Sequence, residues 1–259
     1  MKMEIEEYLK KDYITNLINA NKRTDGRAFD EYRNLEVIKG YVNDKAEGSA
    51  LVKLGETQVL VGVKMDVGEP YPDRPNEGIM ATNSELRPGA SPNFELGPPR
   101  AESIELSRVV DRGIRESGAI KTDELFIEED KVWVVFIDIH ILDHLGNLID
   151  AAGIAAISAL LDARMPKYED GEVIRGEWGG KLPVGRVPIP CTVAKIGNSI
   201  ISDPSVDEEY AADARLTIAT TDKLNAMQKG GSGTFTKDEI MNAVDLAFKN
   251  GDNIRKIVE

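Results

Sequence analysis

Cysteine is nearly absent from this chain of 259 residues. Cys191 stands alone, with only two histidines, His140 and His144, and aromatic residues at 6%. A single cysteine forbids an intramolecular disulfide and fits a reducing, intracellular setting. Together with two histidines it also excludes a Cys/His zinc cage. No apolar run reaches the roughly 18 residues of a transmembrane helix, and the N-terminal MKMEIEEYLKK is acidic and mixed where a signal peptide is basic and then apolar. The expectation is a soluble, cytoplasmic protein with no membrane contact. Basic charge is also in short supply, because 32 Lys and Arg against 45 Asp and Glu leave a net −13. That excludes a surface that is basic throughout, so contact with nucleic acid has to come from a local patch or be completed by a partner chain.

What is present is enough to fold. At this length a chain buries on the order of 70–75% of its unfolded surface and needs no metal or disulfide to hold it. Ile5, Leu9, Ile14, Leu17 and Ile18 recur at helical spacing among charges, which predicts an amphipathic helix over residues 3–20. The charged turn Arg23-Thr24-Asp25-Gly26-Arg27 follows, then β-like stretches at Leu35–Val42, Ser49–Leu54 and Gln58–Val67. Seven of the twelve prolines fall between Gly68 and Arg100, leaving room for one strand, Gly78–Arg87. A helix is expected over 101–117, a strand over Val132–Leu142, and a helix over Asp150–Met165 whose apolar residues leave little polar face, as in a central helix. The Gly- and Pro-rich stretch that follows reads as a domain boundary. Short strands are expected at Cys191–Ile196, Ser199–Ser202 and Ala214–Ala219. The turn Gly230–Gly233 comes next, then a helix opened by the capping box Thr236-x-x-Glu239 and stopped at Gly251.

Advancing about 100° per residue along the helix over 101–117 puts Leu106, Val109, Val110 and Gly113 on a buried arc. Arg108, Arg112 and Arg115 fall within about 60° of one another on the opposite side, beside Glu105. Such a ladder of guanidinium groups tracks a single-stranded phosphate backbone without reading bases. The alternative is a set of surface ion pairs with Glu105, Asp111 and Glu116, each worth a few tenths of a kcal/mol.

The run Arg23-x-Asp25-Gly26-Arg27, the hairpin Ser49–Leu60, the helix Glu105–Arg115 and the segment Asp203–Ile218 together resemble the RNase PH family of phosphorolytic RNA nucleases. Within that family the details are most similar to the non-catalytic RNase PH-like subunit of the archaeal exosome, above all Ser107–Ser117 and the extended N-terminal helix. The resemblance implies an α+β chain with the RNase PH fold: a ribosomal protein S5 domain 2-like N-terminal half and an RNase PH C-terminal half. The expected divisions are an N-terminal helix (1–22), a first domain (23–166), a linker (167–189) and a second domain (190–259).

It also implies function, position by position. Active members hold phosphate at a helix N-terminus with small hydroxyl residues and an arginine nearby. The matching stretch here, Gly146–Ala152, lacks both and carries Asp150, expected as the N-cap of its own helix, so the phosphate site is read as lost. Asp207 and Asp213 match in spacing the two aspartates that active relatives use for acid catalysis and metal binding. Their surroundings, four acids in seven residues, read rather as a solvated acidic loop leading into a strand, so no catalytic residue, metal or cofactor is assigned. Matching positions turn Arg108 and Arg112 towards a shared RNA cleft, with Arg100 and Arg115 as further candidates. The implied partners are a catalytic RNase PH-like subunit in a hexameric ring of three heterodimers, RNA-binding cap subunits and single-stranded RNA. Two alternatives remain: a chain that is itself a phosphate-dependent 3′–5′ exoribonuclease, and a scaffold without RNA contact.

The remaining conspicuous residues read as structural. His140 is expected as a satisfied core or interface histidine and His144 as solvent-facing. Cys191 has no visible activating partner. Gly230–Gly233 lacks the lysine of a phosphate loop.

Overall fold

A computed structural model describes residues 5–42 and 45–259, with side chains from Lys10 onward. Helix α1 spans Ile5–Asn19, and Ile14 and Ile18 are its buried anchors against Ala194, Ile196, Ile201 and Ala211. Ile5 and Leu9, expected on the same face, lie outside the described side chains.

The first sheet is built from β1 (Leu35–Lys39), β2 (Gly48–Leu54), β3 (Thr57–Gly68), β4 (Ile79–Leu86), β5 (Phe126–Glu128) and β6 (Lys131–Asp143). The order is β1-β2-β3-β6-β4, with β5 on β6; only the β4–β6 pairing is parallel. Period-two burial orients it: Val59, Val61, Val63 and Met65 of β3 are fully buried, and so are Val135, Ile137, Ile139 and Ile141 of β6. They pack under helix α2 (Ala101–Ser117) and helix α3 (Leu148–Asp162). A 3-10 turn, Thr122–Leu125, links α2 to β5.

The second sheet contains β9 (Ile189–Ile196), β10 (Ser199–Ser202), β11 (Ala214–Thr220) and β12 (Leu224–Gly230), antiparallel in the order β10-β9-β11-β12. Helix α5 (Lys237–Val258) covers one face, and α3 lies against the other while also covering β2 and β3. A helix between two sheets has no solvent side, which is why α3 is apolar nearly all round.

Several expectations need correction. The stretch 167–189, expected as a linker, carries regular structure: β7 (Arg164–Glu169) and β8 (Glu172–Lys181) pair as a hairpin. Register shifts around Pro166 and four glycines break the alternation that reveals a strand. The acidic segment before β11 is not a loop but a short helix, α4 (Val206–Ala211), opened by a Ser205/Glu208 capping box. Gly251 does not end α5, which continues to Val258. A Cβ at Gly251 would lie 2.8 Å from Thr220 Oγ1, so this glycine serves the close approach of α5 to β11.

Candidate nucleic-acid interface and the closed end of α3

The three arginines of α2 leave the helix on one side, and the structure then separates them. Arg115 leans towards β4, where its guanidinium donates twice to Asp111, at 2.9 Å each, and once to Met80 O at 3.0 Å. Its charge is met within its own helix. Arg112 leans the other way, towards β12, and donates to Gln228 Oε1 at 3.3 Å. Between them Arg108 is exposed, and its guanidinium has no ion pair or hydrogen bond among the described residues. Arg100, the residue capping α2, is paired with Glu95. Of the three acids proposed as partners for the ladder, Asp111 pairs with Arg115, while Glu105 pairs with Arg215 of β11. Two guanidinium groups of the four, those of Arg108 and Arg112, thus remain without a carboxylate among the described residues.

The N-terminus of α3 is closed by the protein's own acids. The cap is Asn147, in the left-handed region at φ 54°, so Asp150 is not the N-cap as expected but the third helical residue. Gly146, at φ 100°, brings the chain so close to Ser205 and Val206 that a Cβ would meet their backbone at 2.5 Å. Asn147 then serves three carboxylates. Its N–H donates to Glu209 Oε1 at 2.9 Å, and its side-chain amide donates to Asp150 Oδ2 and Asp203 Oδ1 at 2.8 Å each. Asp150 is fully buried and also accepts from Tyr32 OH, Thr192 N and Thr192 Oγ1 at 2.7–2.8 Å.

Burial pushes Asp150 up to about 6 despite these four donors. Burial likewise pushes Glu209 to about 7, against the Asn147 N–H and the charges of Arg215 and Arg33. Burial would raise Asp203 too, but Arg33 and Asn147 hold its carboxyl below the usual range. Any anion approaching this helix end meets carboxylates already bonded to it.

The charged turn after α1, together with Arg33 beyond it, supplies the counter-ions, a role that local sequence does not reveal. Arg23 forms a buried bidentate pair with Glu208 of α4, at 2.9 and 2.7 Å. Arg27 and Arg33 both reach Asp203, at 2.9 and 2.7 Å. Partners some 170–185 residues away leave no local pattern.

Asp207 and Asp213 are half-exposed, and each faces a lysine of α1: Lys10 at 3.5 Å from Asp207, and Lys11 at 3.7 Å from Asp213. Asp213 also accepts from Gly197 N at 2.9 Å. No group of three or more metal-ligating side chains occurs among the described residues. His140, half-buried, lies against Glu85 and Arg87 beside β4. His144 is not simply solvent-facing: its ring stacks on Phe94 at 5.4 Å, and burial together with Arg33 lowers its pKa. Burial pushes the Cys191 thiol far up, which makes it a poor nucleophile. Among the described residues no helix is long and apolar enough to cross a membrane.

Profiles of the 3′ exoribonuclease family match residues 31–166 as its domain 1 and residues 186–250 as its domain 2. The chain belongs to this family, the RNase PH family. Its two larger sheets and their helices are accordingly the two RNase PH domains, and the expected fold class holds. The chain is 53% identical to Exosome complex component Rrp42 of Thermococcus gammatolerans, covering 99% of this chain and 96% of the relative. It is 49% identical to that of Methanocella arvoryzae, over 100% of this chain and 99% of the relative. Among solved structures, it matches a chain of the Archaeoglobus fulgidus exosome with RNA bound to the active site at TM-score 0.91 and 46% identity, covering 99% of this chain and 100% of that one. A chain of an archaeal exosome core matches at TM-score 0.85 and 45% identity, covering 98% and 100%. Rice Rrp46, at TM-score 0.69 and 14% identity, shares the RNase PH fold.

Proposed function

We propose that this chain is a non-catalytic subunit of an archaeal exosome, working in the cytoplasm in 3′–5′ RNA degradation. It pairs with the catalytic RNase PH-like subunit, three such heterodimers close into a hexameric ring, and RNA-binding cap subunits sit on the ring. Its own tasks are to hold the partner's active site in its working arrangement and to complete the RNA cleft with Arg108 and Arg112, Arg115 and Arg100 standing further from this role. The observation that carries the absence of catalysis is the closed end of α3. A phosphate nucleophile needs that helix terminus free, whereas Glu209 is bonded to it and Asp150 is buried behind it. Asp207 and Asp213, each facing a lysine of α1, support the same reading.

The test is to incubate the chain alone, and with its catalytic partner, with single-stranded RNA and inorganic phosphate, and to follow nucleoside diphosphate release. The expected result is no release from the isolated chain and release from the complex that is unchanged by Asp213→Asn in this subunit. Release from the isolated chain that disappears in Asp213→Asn would overturn the proposal in favour of a phosphate-dependent exoribonuclease.

A further inference from the structure

We propose that Gln228, on edge strand β12 of the second domain, is a positioning residue for RNA: it holds Arg112 of the first domain across the domain junction while leaving its charge uncancelled. This rests on the reading of Arg108 and Arg112 as RNA contacts.

The register carries the geometry. Ala226, Gln228 and Gly230 of β12 pair with Ala219, Thr217 and Arg215 of β11. The β11 residues identify the face, since Arg215 reaches Glu105 of α2 and Ala219 packs beside Gly113 of α2. Side chains of paired residues share a face, so Ala226, Gln228 and Gly230 all turn towards α2. Of the three, only Gln228 carries a polar side chain, and it accepts the one hydrogen bond that Arg112 makes to a side chain among the described residues. Its other end is fixed as well, because Gln228 Nε2 donates to Lys229 O at 3.3 Å.

The charges on and around α2 explain why an amide is suited to the position. Arg215, Arg115 and Arg100 each have a carboxylate partner: Glu105, Asp111 and Glu95. A glutamate at 228 would neutralise Arg112 in the same way. The amide oxygen offers the same acceptor at the same reach without the charge. Arg112 is therefore oriented, one of its N–H groups is satisfied, and its full positive charge remains for a phosphate. The domain junction becomes part of the RNA site, since a shift of β12 relative to α2 would release Arg112.

The experiment is a double-mutant cycle in the assembled complex, with a fluorescent single-stranded oligoadenylate as probe, its affinity measured over a series of salt concentrations, and thermal unfolding followed in parallel. Gln228→Glu should weaken binding about fivefold and lower the salt slope by about 0.7, the loss of one phosphate contact on a single strand. Arg112→Ala should do the same, and the double variant should be no weaker than either. Gln228→Leu, which keeps size but cannot accept, should weaken binding about twofold with the salt slope unchanged. Gln228→Glu weakening binding by the same factor with and without Arg112 would overturn the inference, because that is plain repulsion of RNA. Gln228→Glu without effect where Arg112→Ala does weaken binding would overturn it too. An Arg112→Ala variant with unaltered affinity would instead overturn the RNA reading of this face, and the inference with it.

Discussion

Arg23 and Glu208 stand 185 residues apart in the chain and form a bidentate ion pair with side chains exposed by no more than 1%. The pair ties the turn after α1 to the capping box of α4, because Glu208 Oε2 also accepts from Ser205 N at 2.8 Å. Arg23 uses its remaining donors on the carbonyls of Ser202 and Asp203, with longer contacts to those of Ala28 and Glu31. A buried charge stripped of its partner is left uncompensated, so Glu208→Gln or Arg23→Met should cost about 3–5 kcal/mol. The double replacement Arg23→Met with Glu208→Met should cost well under the sum of the two. Denaturant unfolding of the chain checks this. Loss of stability that is simply additive would mean that the two charges are solvated independently.

Asp150 and Glu209 give the stability an unusual pH dependence. Both carboxyls titrate higher in the folded chain than their ordinary values, to about 6 and about 7, because burial disfavours the charged form. Between roughly pH 4 and 7 the folded state therefore holds protons that the unfolded state has released, and unfolding free energy falls as pH rises through that range. Asp203, held low by Arg33 and Asn147 after burial is overcome, acts in the opposite sense and loses its contribution only as pH falls below about 4. The melting temperature should thus rise from pH 8 to pH 6 before declining in acid. Glu209→Gln should flatten the part of the slope near pH 7, and a profile that stays as steep in this variant as in the parent would refute the assignment.

Gly251 invites a helix-stabilising substitution that should fail. Replacing an exposed mid-helix glycine with alanine commonly gains about 1 kcal/mol. Here the new Cβ would lie 2.8 Å from Thr220 Oγ1, a buried hydroxyl with no hydrogen-bond partner among the described residues. Gly251→Ala should destabilise by about 1–3 kcal/mol through overpacking. Thr220→Ala removes both the clash and the orphaned hydroxyl, so the double variant should regain most of the loss in thermal unfolding.

What the sequence revealed followed from periodicity, and what it concealed followed from distance. The alternation in β3 and β6 and the apolar run of α3 are local, and the structure repeats them within two or three residues. The hairpin β7–β8 was hidden because bulges at Pro166 break its register. Helix α4 was hidden because a six-residue helix carrying three consecutive acids has the composition of a loop. Asp150 has the residue type of a cap and the position of one within about three residues. Its partners Tyr32 and Thr192, however, lie 118 and 42 residues away, and only they show that the carboxylate is buried. For the arginines of α2, the helical wheel fixed where each Cβ points but not where a long side chain bends. Arg115 turned back to Asp111, while Arg112 crossed to the other domain.

That divergence separates Arg108 from Arg115 in a measurable way. Both lie on the same arc of α2, and a ladder of equivalent groups would lose the same affinity at each rung. Arg115 already spends two hydrogen bonds on Asp111 and one on Met80 O, whereas Arg108 is exposed and its guanidinium has no partner among the described residues. To reach a phosphate, Arg115 would first have to leave its carboxylate. In the assembled complex, Arg108→Ala should weaken single-stranded RNA binding several-fold and lower the salt slope by about 0.7, with little change in thermal stability. Arg115→Ala should leave the slope unaltered and cost a few tenths of a kcal/mol in stability, the usual worth of a surface i,i+4 pair. Equal losses of affinity and slope at the two positions would mean that RNA draws Arg115 away from Asp111, and that the α2 ladder acts as one uniform surface.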